Sequence, residues 1–285
     1  MEILSKSGRT SIVYRYANGL VAKMPREMSA GLPGRKEWDA EIDNAFMVEQ
    51  KLLLRLGLHP RIVVYASLSL RCYYSHATTR YQGSCNIKGM KKGLLLGEAN
   101  CGNLQSYIDK FHCEIDSALR RQWSLQVAQA IEYVHGKGII HSNLGTTNVL
   151  VHRAGAVPEL LLADFGGSRC EALDVFGELL PDDPFSDPWL TDDQLKSPKL
   201  DLYSLGVVIY IIMTGYQPFH DGPAPQGEER LDYMDRVRKL YEQGQFPDLV
   251  DVPFAGIIRG CCIERSFNTA KEVVAAIEAE MGQVA

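Results

Sequence analysis

The sequence predicts a two-lobed α+β fold, in which a small β-rich lobe with one helix precedes a larger, mostly helical lobe. Short apolar runs typical of strands dominate the first third of the chain, whereas apolar residues at helical spacing dominate the rest. The chain has 285 residues, of which 46% are hydrophobic and 23% charged. That length and composition are sufficient for a sizeable core or for two packed lobes.

The first predicted element is a β-hairpin. Apolar runs at 12–14 and 20–22 flank the dipeptide Asn18-Gly19, and this arrangement is a strong hairpin signal. A helix is predicted over 37–57, where helix formers carry apolar residues near helical spacing and a glycine ends the pattern.

Two more strands are predicted at 61–74 and 93–99. Between them lies Ser75–Lys92, which is rich in polar residues, glycine and lysine, and we interpret it as an unusually long loop. Its position between two strands makes it a candidate docking surface.

The larger lobe begins with a long amphipathic helix at Ser117–Gly136. A polar loop and two short strands at 149–151 and 159–163 follow, and then an irregular acidic segment over 166–200. Further helices are predicted at 201–214, 228–243, 253–261 and 269–281.

Composition excludes several classes of function. The net charge of −5 and a pI of about 5.8 provide no basic surface for nucleic acid or an anionic membrane. The start, MEILSKSGRT, lacks the apolar core of a signal peptide, and the apolar run LGVVIYIIM (205–213) is about half a membrane span. The seven cysteines are scattered without a CxxC pair, so neither a disulfide framework nor a zinc site is expected. We therefore expect a cytoplasmic or nuclear protein.

Two residues could hold a cation at the end of a short strand pair. Asp164 directly follows a buried strand and precedes two glycines, and Asn148 lies sixteen residues earlier. Carboxylate and amide oxygens suit Mg²⁺, which usually also binds the phosphates of a nucleotide. Taken singly, each residue is better explained as an ordinary turn or loop residue.

Three residues of the small lobe are also uninformative alone. Lys23 could be an exposed strand residue, Glu49 could belong to a solvated helix face, and Gly8 could be a turn glycine. Their order and their spacing relative to Asn148 and Asp164 carry the information.

In that order and spacing, these residues resemble the eukaryotic protein-kinase domain, over about residues 2–280. The resemblance implies one domain with an N-lobe at 1–98, containing a five-stranded sheet and helix C, and a helical C-lobe at 99–285. GRTSIVYR, HPRIV and DFGGS are most similar to divergent kinase-like proteins of filamentous fungi.

The resemblance also implies ligands, namely ATP and Mg²⁺. Lys23 would grip the α- and β-phosphates, with Glu49 as its ion-pair partner on helix C. Asp164, in the motif Asp-Phe-Gly, would bind the metal together with Asn148.

Apolar positions complete this expected site. Val13, Ala22 and Leu150 match the residues that sandwich adenine, and Leu96 matches the gatekeeper before a hinge that contains Gly102 and Leu104. The regulatory spine would consist of Leu53, His141, Phe165 and Asp201.

The catalytic loop departs from the family pattern. His-Arg-Asp-Leu-Lys-x-x-x-Asn here reads His141-Ser-Asn-Leu-Gly-Thr-Thr-Asn148. Asn143 replaces the carboxylate that deprotonates the substrate hydroxyl, and an amide has no useful basicity. Gly145 replaces a lysine that neutralises phosphate charge, and Ser142 replaces the arginine that meets a phosphorylated activation segment.

Two other motifs are weak. Lys6, Gly8 and Ser11 stand at the three glycine positions of the phosphate-covering loop, so only one glycine remains. Counting back from Asp201 puts Asp187-Pro188-Trp189 in place of Ala-Pro-Glu, which would leave Arg265 without its usual carboxylate partner. With few basic neighbours around the acidic segment, activation by phosphorylation is not expected.

Three functions remain open. The first is a pseudokinase that binds Mg-ATP and acts by conformation or by binding partner proteins; the second is a slow but genuine Ser/Thr kinase. The third is a scaffold that binds no nucleotide. A small-molecule kinase is disfavoured, because DLYSLG and the helical C-lobe resemble protein kinases specifically.

Overall fold

The computed structural model describes residues 2–6, 8–27, 33–66 and 93–283. Its first part is a five-stranded antiparallel sheet in the order β1-β2-β3-β5-β4, with a long helix α1 between the third and fourth strands. The elements are β1 (Glu2–Ser5), β2 (Ser11–Ala17), β3 (Leu20–Pro25), α1 (Arg35–Leu56), β4 (Tyr65–Ala66) and β5 (Leu94–Gly97). The predicted hairpin and the predicted helix at 37–57 are confirmed.

The strand predicted at 61–74 is observed only in part. β4 comprises two residues, and the rest of that prediction from residue 67 onward lies outside the described residues. The long loop Ser75–Lys92 also lies outside them, so its proposed docking role stays a prediction.

The second part is mostly helical. Its elements are α2 (Leu104–Phe111), α3 (Ser117–Gly136), β6 (Val149–His152), β7 (Glu159–Leu162), β8 (Arg169–Cys170), β9 (Val175–Phe176), α4 (Lys199–Thr214), α5 (Gly227–Glu242), α6 (Ala255–Cys262) and α7 (Ala270–Gly282). Each helix predicted in this part is observed within two residues of the expected ends. The architecture is that of a two-lobed kinase, as the sequence predicts.

The sequence-based expectation missed helix α2, which is too short to display a clear apolar period. Asn103 caps the N-terminus of this helix: its side-chain oxygen accepts a hydrogen bond from the Ser106 backbone amide at 2.8 Å. Such a cap satisfies one of the free amides of the first turn.

Helix α4 forms the centre of the larger lobe. All its residues from Leu200 to Met213 are buried, and it packs against α3 and α6. Because this helix is apolar on every side, it can exist only inside a core. It ends at Gly215, whose φ of 84° is a left-handed conformation that favours glycine.

No helix in the described ranges is long and apolar enough to cross a bilayer.

Candidate nucleotide and catalytic site

A buried ion cluster joins the sheet, helix α1 and the loop after β7. Lys23 Nζ lies 2.6 Å from Glu49 Oε2 and 2.8 Å from Asp164 Oδ1. The side chains of Lys23 and Glu49 are 7% and 1% exposed, whereas that of Asp164 is 38% exposed. The structure thus brings together three predicted site residues that lie up to 141 positions apart in the chain.

The charges of this cluster stabilise one another. Burial alone would lower the pKa of Lys23, but the two carboxylates outweigh it and the pKa is raised. Burial works to raise the pKa of Asp164, yet the Lys23 ammonium holds that pKa below its ordinary value. At neutral pH the cluster therefore contains an ammonium beside an ionised, partly exposed carboxylate.

Asn148 and Asp164 are compatible with a magnesium ion. The side-chain nitrogen Nδ2 of Asn148 donates a hydrogen bond to the Asn143 backbone carbonyl oxygen at 2.8 Å. The side-chain oxygen of Asn148 is therefore left as a potential ligand. Lys23 binds one carboxylate oxygen of Asp164, and the Asp164 side chain is partly exposed. Among the described residues, no group of three or more His, Cys, Asp or Glu side chains could hold a metal. The pair would thus bind Mg²⁺ together with other oxygens, such as those of phosphates.

The catalytic-loop backbone is held by Asp201 on α4. Its two carboxylate oxygens accept from the amides of His141 at 2.7 Å and Ser142 at 2.8 Å, and His135 Nε2 adds a contact at 2.9 Å. These bonds fix Ser142 in a left-handed conformation with φ 64°. Burial alone would raise the pKa of Asp201, but these partners outweigh it, so the pKa is lowered.

His141 is wholly buried beside the Asp-Phe-Gly motif. Its ring lies 5.1 Å from the ring of Phe165 at an interplanar angle of 67°, and its Nε2 is 3.1 Å from the Ala163 carbonyl oxygen. Because a carbonyl can only accept, Nε2 carries the proton. Burial lowers the pKa of His141, so the ring is neutral and serves as a packing residue.

The register of the sheet decides which apolar residues face the ion cluster. Val13 pairs with Lys23, and Val21 pairs with Leu96, so these residues share one face with the lysine. Ala22 points to the opposite face, where its partner Leu95 packs on another part of the core. The register therefore contradicts the expectation that Ala22 lines the site together with Lys23, and Val21 lies on the face of the lysine instead.

The other predicted positions are distributed around the same region. Leu150 on β6 is half-buried and bridges to Asn103 at the start of α2, while Gly102 has a φ of 79°. Leu104 is fully buried in the first turn of α2, so it is a core residue that holds the adjacent hinge in place. At Gly8 an added Cβ would lie 3.0 Å from the Ser11 carbonyl oxygen, which explains a glycine there by local crowding alone.

Comparison with known proteins decides the family. The family model "Protein kinase domain" matches residues 32–273. The chain belongs to the protein kinase domain family.

Individual relatives are distant. Serine/threonine/tyrosine-protein kinase HT1 of Arabidopsis thaliana is 27% identical over 274 residues, which cover 90% of this chain and 60% of that protein. Ribosomal protein S6 kinase alpha-3 of mouse and human is 28% identical over 188 residues, which cover 64% of this chain and 23% of that protein. The chain thus spans less than two thirds of the length of these relatives. The similarity to fungal sequences stays a prediction.

Within this kinase domain, the altered residues of the catalytic loop lie together. The backbone carbonyl oxygen of Asn143 accepts a hydrogen bond from the Asn148 side-chain amide, and this bond ties the two ends of the loop together. A Cβ at Gly145 would lie 3.2 Å from the ring of Phe185, which occupies the space beside that residue.

One sequence-based expectation about the activation segment is wrong. Arg265 does have a carboxylate partner: its Nε and its terminal nitrogen each lie 2.7 Å from an oxygen of Asp187, which is almost completely buried. Counting from Asp201 put Trp189 in that place, because the stretch between the carboxylate and Asp201 is two residues longer than the family spacing that the count assumed. A carboxylate followed by Pro188 was the available signal.

The catalytic loop is also tied to the lobe by a polar network that the motifs do not reveal. Gln105 Oε1 accepts from Thr146 Oγ1 at 2.8 Å and from Gln217 Nε2 at 2.5 Å. The network fixes the second half of the loop to α2 and to the chain after α4.

Proposed function

We propose that this kinase domain binds Mg-ATP and functions as a pseudokinase, acting by conformation or by binding partner proteins. The observation that carries the proposal is the complete Lys23–Glu49–Asp164 cluster beside a catalytic loop with Asn143 in the position of the base. Binding chemistry is retained while proton acceptance is lost.

Each part of the site has a physical role in this proposal. Lys23 binds the α- and β-phosphates, and Glu49 holds its ammonium in place. Asn148 and Asp164 hold the magnesium ion, which neutralises phosphate charge. On the adenine side, Val13, Val21, Leu96 and Leu150 supply apolar surface, with Val21 in the position expected for Ala22.

Asn143 limits the reaction. Its amide can accept a hydrogen bond from a substrate hydroxyl but cannot take the proton. A general base contributes about 10²–10⁴-fold, and protein kinases turn over at about 1–100 s⁻¹. Loss of the base alone thus predicts about 10⁻⁴–1 s⁻¹, before the missing lysine at Gly145 is counted.

A slow Ser/Thr protein kinase is the second candidate. The intact ion cluster favours it, because phosphoryl transfer depends more on metal ions and positioning than on proton abstraction. It predicts incorporation of ³²P into the chain itself or into a generic substrate such as casein, and loss of that incorporation in Asp164→Ala.

The deciding experiment is a thermal shift with ATP, with and without Mg²⁺. The unaltered chain should be stabilised by Mg-ATP, and Asp164→Asn should lose the metal-dependent part of the shift. Asp192→Asn, an exposed aspartate of the acidic segment, is the matched control and should behave like the unaltered chain. Absence of any shift at millimolar Mg-ATP would contradict nucleotide binding and leave the scaffold function.

A further inference from the structure

The chain after the Asp-Phe-Gly motif folds back onto that motif. β8 and β9 form a short hairpin, in which Arg169 pairs with Phe176 and Cys170 with Val175. The Gly177 amide then donates to the Ser168 carbonyl oxygen at 2.7 Å. The next residues consequently run beside the catalytic loop.

Two glycines allow this return path. A Cβ at Gly177 would lie 2.3 Å from the carbonyl carbon of Gly167 and 2.5 Å from the Gly166 oxygen. Side-chain carbons do not approach backbone atoms so closely, so only glycine permits the two backbones to cross at this point.

The returning chain lies beside both altered positions of the catalytic loop, of which Gly145 is buried and Asn143 partly buried. The point that a Gly167 Cβ would occupy lies 2.7 Å from Leu179 Cβ and 3.5 Å from Asn143 Cβ, which places Leu179 next to Asn143. Phe185 lies against Gly145, as described above. A substrate hydroxyl would have to approach Asn143 through this space.

Arginines anchor the covering residues from outside. Arg238 on α5 binds Asp183 at 2.9 Å, and Arg230 binds Asp182 at 2.8 Å. Ser204 Oγ on α4 donates to the Phe185 carbonyl oxygen at 2.8 Å. Asp183 is buried and Asp182 is exposed, so solvent and salt screen the Arg230 pair more than the Arg238 pair.

We propose that residues 177–185, termed here the covering segment, close the acceptor side of the site to protein substrates. The segment does so through carboxylate anchors and without a phosphate. This inference rests on the proposed function and extends it: the loss of transfer has two causes, the missing base and a blocked acceptor position. The ion cluster around Lys23 is formed by other elements, so closure of the acceptor side is compatible with nucleotide binding.

The test measures access to position 143 directly. In the full chain, Asn143→Cys introduces a thiol, and its alkylation by iodoacetamide is followed by peptide mass spectrometry. Cys113, an exposed native thiol, serves as the internal standard. With the covering segment in place, the introduced thiol should react much more slowly than Cys113.

Displacing the segment should expose that thiol. Adding Gly177→Ala forces the crossing backbones apart and should raise its alkylation rate at least about 10-fold relative to Cys113, since the segment then opens locally. Gly155→Ala is the matched control, because a Cβ there meets no atom within 4 Å, and it should leave the rate unchanged. Arg238→Gln, which removes an anchor without adding a clash, is the second variant and should act in the same direction.

Two results would overturn the proposal. One is an introduced thiol that reacts as fast as Cys113 while the segment is unaltered. The other is a rate that neither Gly177→Ala nor Arg238→Gln changes. A Mg-ATP thermal shift on the same proteins separates this proposal from the proposed function, because a chain that fails to bind nucleotide still reports on access to position 143.

Discussion

The nucleotide side and the acceptor side of this site differ in what they keep. On the nucleotide side, Lys23 contacts the carboxylates of both Glu49 and Asp164. The side chain of Asn148, the predicted metal ligand, is held by the Asn143 carbonyl oxygen. On the acceptor side, Asn143 and Gly145 stand where the family resemblance predicts a base and a lysine, and Leu179 and Phe185 lie against this loop.

This difference teaches that the residues proposed for nucleotide binding and those proposed for transfer are held by separate parts of the fold. The ion cluster also joins the sheet, α1 and the loop after β7, so its loss costs stability as well as ligand contacts. Position 143 has no such constraint, because a neutral side chain there leaves no buried charge without a partner.

Substitution of Lys23 should have the largest effect on stability. Lys23→Met leaves the buried Glu49 without its counter-charge, and we expect the free energy of unfolding to fall by about 3–5 kcal/mol. Urea denaturation measures this change. Adding Glu49→Gln to Lys23→Met should recover part of the loss; a strictly additive double variant would show that the two residues are not coupled.

Asp187→Asn tests the acceptor-side counterpart of that ion pair. Because Asp187 is almost fully buried and Arg265 is about one-third exposed, we expect a smaller loss of about 2–3 kcal/mol. The Mg-ATP thermal shift, measured as the difference with and without ligand, should be unchanged. A reduced ligand-induced shift would contradict the separation of the two sides.

Acid should weaken the packing behind the catalytic loop. The pKa of buried His141 is lowered, so the folded chain holds a neutral ring while the unfolded chain binds a proton below pH 6.5 or so. Stability is therefore fully present above that pH and falls as the pH decreases, by at most about 1.4 kcal/mol per pH unit from this residue.

The pH dependence of stability can be measured by urea denaturation between about pH 7.5 and 5.5. This range spans the unperturbed histidine pKa of about 6.5. His59 and His112 also have lowered pKa values, because of burial and nearby cations, and contribute to this pH dependence. His141→Leu should make the slope shallower, and an unchanged slope would mean that another group is responsible.

Asp182→Asn should have the smallest effect. Asp182 and its partner Arg230 are both mostly exposed, and such pairs contribute less than about 1 kcal/mol. The same urea experiment serves as the control for Asp187→Asn. A loss as large as that of Asp187→Asn would show that the outer anchor is as important as the buried pair.

Most of the fold and the order of the site residues could be predicted from the sequence. Lys23, Asn148 and Asp164 have motif neighbours at nearly fixed spacing, so their meeting follows from the family pattern. Long periodic helices such as α3 and α4 are equally clear.

The rest depended on information that spacing does not contain. The assignment of Ala22 to the adenine face failed because it ignored the two-residue alternation of the strand, which the observed register makes explicit. The partner of Arg265 was missed because the stretch from that partner, Asp187, to Asp201 is two residues longer than the counting assumed. The Gly177–Gly167 crossing is a long-range backbone contact, and neither glycine belongs to a motif that would reveal it.

The carboxylate anchors Asp182 and Asp183 have a consequence for how such a protein could be controlled. In a segment ordered by phosphorylation, one enzyme writes the negative charge and another erases it. Here the charge is encoded in the gene and is present from the moment the chain is synthesised. A segment held in this way would need no added charge to adopt its position.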